Sequence, residues 1–510
     1  MAQRRLALVV PIALSVAVAV GARTESKAAT GNLATTRICT GCADQARDLG
    51  RYGYVTLHAW DARRIPRIRA ENPHAKILVY KDMASTADYD CHAGVDDPLL
   101  PSGMGYCWTL RNHPDWFTTD PRGHRLEWTT WPGNWQMDVG SPGYQDQWAG
   151  NVLGELKAKG WDGVVIDDAN VDERPQLGGQ AMSEYPTQPS YQAATRSFLA
   201  NVGPKLMKAG FLVIPNIQAD PVLANASLWA DWTRFTSGGT REYWMKWGSG
   251  ADGQYGEGGW ADLMKVMETV EREGKIFLTT TSAPASDVRS MRWGRASFLI
   301  GWNGGPSAFS FDPNAPVDPW SAAWTTDVGV PAGPKRALGG GAYRRDYTLG
   351  TAIVNTSGQA ARTLDLGRSY LTPEGTPVTQ VTLQPLTGLV LRLPQGVVDR
   401  PQTAPRKATP ARSSTTRTTN RGHMVARRIA LHGGRIVHGR VQSAHRGWRV
   451  VVYWRDRTAR WRLFARTYTN QAGRFRVHKV FRAHRAIPMR AVARAGRARA
   501  HSTVVRLSPS

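Results

Sequence analysis

The stretch WDGVVIDDAN, residues 161–170, decides how the chain is read. Val164, Val165 and Ile166 are β-branched and read as a buried strand. Two adjacent carboxylates, Asp167 and Asp168, close it. A carboxylate at the end of a buried strand is costly unless it is solvated, paired or used. Side chains alternate along a strand, so Val165 and Asp167 share one face and Ile166 and Asp168 the other. One carboxylate can then face a cavity while its neighbour binds an adjacent loop.

Working outward, strand-like runs alternate with helical ones. Strands are expected at 54–61, 75–83, 134–142, 161–168, 211–218, 235–244, 275–282 and 307–313. The sixth, FTSGGTREYW, is the weakest. Helical periodicity is clearest at 145–159, 191–208, 262–273 and 289–300. Eight alternations over about 280 residues predict a parallel (β/α)8 TIM barrel, an α/β fold, spanning 30–322. The rival is an open doubly wound sheet. That fold would carry a Gly-rich phosphate turn after an early strand, where this chain has HAWD and YKDM.

Residues 323–395 change character. YTLGTAIVNTS, ARTLDLG, VTQVTL and GLVLRLP alternate as strands without helices, which predicts an antiparallel β-sandwich domain. Residues 396–424 are rich in Pro, Thr and Arg and read as a linker. Residues 425–510 hold further strand-like runs and predict a small basic all-β domain, a β-sandwich.

At the other end, residues 1–29 read as a signal peptide. Arg4 and Arg5 precede a 17-residue apolar run that is short for a membrane span and is broken by Pro11. Export permits disulfides. Four cysteines allow three pairings, and Cys39–Cys42 with Cys91–Cys107 is the one favoured here. A secreted or cell-wall-associated protein is expected.

Charge divides the chain again. Residues 401–510 hold 24 arginines and two lysines against one acid, Asp456, while 1–400 hold 39 residues of each sign. The tail therefore carries the entire net charge of +25. It should bind anionic cell-surface or extracellular polymers, and nucleic acid only as a non-specific polyanion.

Barrel enzymes place their chemistry at the C-terminal strand ends. The expected ends bring His58, Trp60 and Asp61, then Lys81, then Asp138, then Asp167 and Asp168, then Asn216, then Glu242. A carboxylate pair is what glycosidic cleavage requires. Asp167 as nucleophile and Glu242 as acid/base are the expected catalytic residues. His58, Trp60, Asp61, Lys81, Asp138, Asp168 and Asn216 are the expected substrate-binding ones. Trp108, Trp116, Trp128, Trp131, Trp135 and Trp148 fall close together, and tryptophan suits sugar stacking. No metal spacing, phosphate loop or nucleophilic triad is readable, so no cofactor or metal is expected.

The blocks LHAWD, LVYKDM, QMDVGSPGYQDQWAGNVLGELKAKGWDGVVIDDANVD, GGTREYW and GWNGGPSAFSFDP, in that order, resemble the glycosyl-hydrolase-like family fifteen of bacteria. A fainter similarity extends to barrel hydrolases with an FDGVFLD-type fourth strand, including the polygalactosaminidase-like group. The resemblance covers about residues 40–395. It implies a (β/α)8 barrel, an acid on strand four at Asp167, one on strand six at Glu242, and carbohydrate hydrolysis. The expectation is a secreted glycoside hydrolase acting on a polysaccharide or oligosaccharide. The competing expectation is a non-catalytic carbohydrate- or cell-surface-binding protein on a barrel scaffold.

Overall fold

The computed structural model describes residues 32–394, apart from 40, 46–47, 219–223 and 251, together with strands between 428 and 507. The expected leader and linker lie outside the described residues. Contacts divide the chain into two compact units, split between Arg406 and Lys407.

The first unit is built on eight parallel strands. They are β1 (Ala34–Arg37), β2 (Tyr54–Leu57), β3 (Lys76–Asp82), β4 (Gly163–Asp167), β5 (Leu212–Pro215), β6 (Gly238–Arg241), β7 (Ile276–Ser282) and β8 (Ala308–Asp312). β1 to β5 pair in sequence order, as do β6 to β8. Two single parallel bridges join these runs. Asn216 pairs with Thr240 between β5 and β6, and Leu33 with Phe309 between β1 and β8, closing the barrel.

One expected strand is corrected. Residues 134–142 do not enter the barrel. Asn134–Gln136 pairs instead with Ser85–Ala87 in a separate two-stranded antiparallel sheet. The true first strand is the four-residue ATTR, and β2 to β3 each stand one place later than expected. β1 is too short to announce itself, with two threonines and a buried arginine where an apolar run would be sought.

Residue parity along each strand separates two cores. Leu78, Val165, Ile214, Ile276, Leu278 and Ala308 pack inside the barrel. Ile77, Val79, Val164, Ile166 and Val213 pack outward with the helices. β6 has no large inward residue. A Cβ on Gly238 would stand 1.9 Å from the Ile276 carbonyl oxygen, and one on Gly239 would meet Trp229 at 2.6 Å. Close neighbours thus require the two glycines that make this strand faint in the sequence.

The helices follow from local rules. α1 (Ile65–Glu71) leads into β3 and α2 (Pro142–Lys159) into β4. α2 begins where Ser141 caps the Tyr144 N–H and ends at Gly160 in the left-handed region, φ 76°. α3 (Gln188–Lys208), α4 (Ala226–Thr233), α5 (Glu257–Arg272) and α6 (Val288–Gly301) complete the outer layer. The excursion between β3 and α2 is held by the Cys91–Cys107 disulfide; Cys39–Cys42 forms the other. Within the excursion, Asp96 accepts the Cys107 and Trp108 N–H groups at 2.7 and 2.8 Å.

Six further strands, β9 to β14, run from Arg336–Gly339 through Ala342–Tyr347, Gly350–Asn355, Arg362–Leu371 and Pro377–Leu383 to Thr387–Arg392. They form one antiparallel sheet. The sheet is tied to α6. The Tyr347 hydroxyl donates to the Leu299 carbonyl, and Arg345 to the Ile300 and Gly301 carbonyls at 3.2 and 3.0 Å. In the second unit, Arg449–Arg455 is flanked by Trp461–Tyr468 and Ile487–Ala495, both antiparallel to it. Arg428–Gly433 pairs with Val437–Val441 in the same sheet. Val450 and Val452 of the central strand are fully buried.

Candidate active site

A cavity opens where β1, β3, β4, β5 and β6 end. It is lined by Thr36, Tyr80, Asp167, Asn216, Glu242 and Ser310, among others, and encloses about 470 Å³ including space open to solvent. Val165 and Asp167 both line it, while Ile166 packs outward among the helices.

Two side chains fix Asp167. The Asn216 amide donates to its Oδ1 at 2.7 Å, and the Tyr80 hydroxyl also hydrogen-bonds it. Asn216 reaches Glu242 as well, and the Gln218 amide donates to Glu242 Oε2 at 2.6 Å. Two acids from different strands are thus bridged by one buried amide. Asn216 Oδ1 and Ser310 Oγ, both buried, have no hydrogen-bond partner among the described residues.

Burial and then the charge of Asp167 raise the Glu242 carboxyl to about 8, so it holds its proton at neutral pH. Burial raises Asp82 to about 7, although Ser85 and two backbone N–H groups favour its ionised form. Asp168 is pushed well up by burial and then by Asp167. These carboxyls share one low-dielectric region, where like charges oppose ionisation.

The chain turns sharply after both candidate acids. Asp168 follows Asp167 with φ 54°, and Tyr243 follows Glu242 with φ 50°. For residues with a Cβ such backbone costs about 1–3 kcal/mol each. Asp168 is held there by Asn170, whose amide donates to Asp168 Oδ1 at 2.9 Å and to Glu173 Oε2 at 3.0 Å.

The other expected site residues are scattered. His58 lies under Trp60, with ring centroids 3.9 Å apart, and meets Tyr80 edge-on at 5.3 Å. Burial lowers its imidazole to about 4, and Nε2 bonds the Ile38 carbonyl. Trp60 stays 46% exposed. Lys81 is turned away. It shares the outward face of β3 with Ile77 and Val79 and pairs with Glu155 of α2 at 2.6 Å. Asp61 is buried against Arg64, Nε to Oδ1 2.9 Å. Asp138 is held by the Tyr185 hydroxyl and the Gly140 N–H. None of these three lines the cavity, nor do His58, Trp60 and Asp168; of the expected binding residues Asn216 does. Among the clustered tryptophans, Trp116, Trp128 and Trp148 are buried in the core and Trp131 is 63% exposed.

Glu173 has no signal in the sequence beyond its charge. It is fully buried, accepts from Asn170 and from the Tyr191 hydroxyl at 3.2 Å, and is raised to about 8 by burial. Its ordinary value is 4.5. Between these values the folded chain holds a proton that the unfolded chain has released. Stability therefore falls as pH rises through this window, by up to about 1.4 kcal/mol per unit for one such group. Glu173→Gln is expected to be more stable than the wild type at pH 8 and no more stable at pH 5. Thermal melts at both values check this; an equal difference at both would remove Glu173 from the pH dependence.

The described residues include no helix long and apolar enough to cross a membrane. Several solved structures are similar to the chain. The glycoside hydrolase domain of PelA from Pseudomonas aeruginosa is 14% identical with a TM-score of 0.37, covering 55% of this chain and 95% of that one. An α-amylase from Malbranchea cinnamomea is 9% identical with a TM-score of 0.40, covering 72% and 97%. A GH31 α-xylosidase from a soil metagenome is 11% identical with a TM-score of 0.41, covering 73% and 64%. No curated protein matches the chain. Residues 69–351, more than half of the sequence and all of the barrel from β3 to β8, match the model of hypothetical glycosyl hydrolase family 15, and the chain belongs to that family.

Proposed function

We propose that the protein is an exported hydrolase of glycosidic bonds that works with two carboxyl groups, Asp167 as nucleophile and Glu242 as acid/base. One observation carries this reading. Asn216 touches both acids, and burial with the Asp167 charge keeps a proton on Glu242 at neutral pH. A carboxyl that keeps its proton can serve as the acid beside one that serves as nucleophile. One amide in reach of both supports the short spacing of a retaining enzyme, about 5–5.5 Å, over the wider spacing that admits a water. His58, Trp60, Asp168 and Asn216 are proposed to contact sugar. Asp61, Lys81 and Asp138, anchored elsewhere, are proposed to shape the surrounding loops.

The test is release of reducing ends from a panel of α- and β-linked glycans, amino-sugar polymers and cell-wall extract. Release supports the hydrolase reading. Binding of one glycan without release would leave a carbohydrate-binding protein on a barrel scaffold.

The basic second unit is proposed to hold the enzyme near anionic cell-surface polymers. Full-length protein is expected to bind heparin–agarose with an affinity that falls steeply with salt. A chain ending at residue 400 should flow through and still release sugar. Equal retention of both forms would rule out the tail as the anchor.

A further inference from the structure

Trp247 and Tyr243 are not used by the chemistry above, yet both sit on the loop that begins with Glu242. Their ring centroids lie 5.0 Å apart, and Trp247 is 56% exposed. Tyr243 follows the acid directly, and its hydroxyl lies within the fields of Glu242, Asp167 and Asp168.

The loop is a built structure. Lys246 and Gln254 pair antiparallel, the Trp247 N–H donates to the Gly253 carbonyl at 2.9 Å, and the Tyr255 N–H to the Met245 carbonyl at 2.9 Å. At its centre the fully buried Lys246 ammonium donates to the carbonyls of Gly248, Gly250 and Ser282. Ser282 ends β7, so this one cation ties the loop to the barrel. A desolvated ammonium satisfied by three backbone oxygens fixes the neighbouring residues. An apolar indole held out in water on such a support invites a ligand with an apolar face.

Position adds to this. In a ring of eight strands β2 and β6 stand opposite each other. Trp60 follows β2 and Trp247 follows β6, so the two exposed indoles sit on loops that leave opposite strands of the ring. Resting on the carbohydrate reading above, we infer that Trp247 with Tyr243 forms a second sugar subsite, and that one polysaccharide chain lies across the mouth from Trp60 to Trp247. Such a chain extends past the scissile bond in both directions, which is the arrangement for internal cleavage.

The test uses full-length protein carrying Asp167→Asn, so that polymers stay intact. It is run in native gels cast with soluble starch, dextran, arabinoxylan, mixed-linkage β-glucan, galactomannan or chitosan. Neutral and cationic polymers keep the basic tail from dominating retardation. At least one polymer should retard the protein. Adding Trp247→Ala should weaken the apparent affinity roughly 2- to 10-fold, the worth of one aromatic stack, and Trp247→Phe by less. Trp60→Ala should weaken it similarly, and the double variant by the product. Equal retardation of Trp247→Ala and its parent, or retardation by none of the polymers, would overturn the subsite. Hydrolysis by the wild type is read separately. If it cuts nothing while Trp247→Ala still loses retardation, the subsite stands and the hydrolase reading falls.

Discussion

Asp167→Asn is expected to abolish sugar release, lowering kcat by about 10⁴-fold or more, while raising the melting temperature by roughly 1–3 °C. The first effect is the loss of an attacking carboxylate, for which an amide is no substitute. The second follows from the neighbours. The charge of Asp167 is among the causes that hold up Asp82, Asp168, Glu173 and Glu242. Removing it relieves repulsion inside one buried cluster. Asparagine has the same shape, and the Asn216 amide can keep a carbonyl oxygen as partner in place of the Oδ1 it now donates to at 2.7 Å. Stability gained where activity is lost is the mark of a site arranged for chemistry. A variant that loses activity and also melts several degrees lower would make Asp167 a structural strand end instead.

Much of this site is legible in WDGVVIDDAN because strand parity is a strong rule. Val165 and Asp167 face the cavity and Ile166 does not, as alternation requires. The same rule separates Tyr80 from Lys81. KILVYKD puts Lys81 on the face of Ile77 and Val79, away from the cavity, and Tyr80 on the face of Leu78. Reading a strand end as a cluster of polar residues, without its parity, mixes the two sets.

Other features were beyond such rules. β1 is four residues long, and its closure with β8 rests on the single bridge Leu33–Phe309. NWQMDVG leads into a well-capped helix just as a barrel strand would, and only its pairing with Ser85–Ala87 shows otherwise. Asp168 leaves its strand through a left-handed backbone that no neighbouring residue type announces. Glu173 is buried by contacts with Asn170 and with Tyr191 of α3, and the second of these depends on tertiary packing.

Glu242→Gln is expected to lower kcat by about 10²–10⁴-fold on natural glycans. The loss should be far smaller on aryl glycosides with good leaving groups, which need little protonation. The pH profile carries the same argument. Activity of the wild type, as kcat/KM, should fall as pH rises through about 8, where free Glu242 gives up its proton. In Glu242→Gln that alkaline limb should disappear. The retaining reading adds a step that only a coupled pair can perform. When Asp167 becomes the glycosyl ester its charge is gone, and with it one of the causes that raise Glu242. The carboxyl then becomes a stronger acid as it gives its proton to the leaving oxygen, and the carboxylate left behind takes a proton from the attacking water. Azide, which needs no base, should therefore restore turnover of the aryl glycoside by Glu242→Ala and give a glycosyl azide of retained configuration. Azide product of inverted configuration would mean direct displacement at the anomeric carbon and would exchange the proposed roles. No rescue, with the alkaline limb intact in Glu242→Gln, would take Glu242 out of the chemistry and leave it as a partner of Asn216 and Gln218.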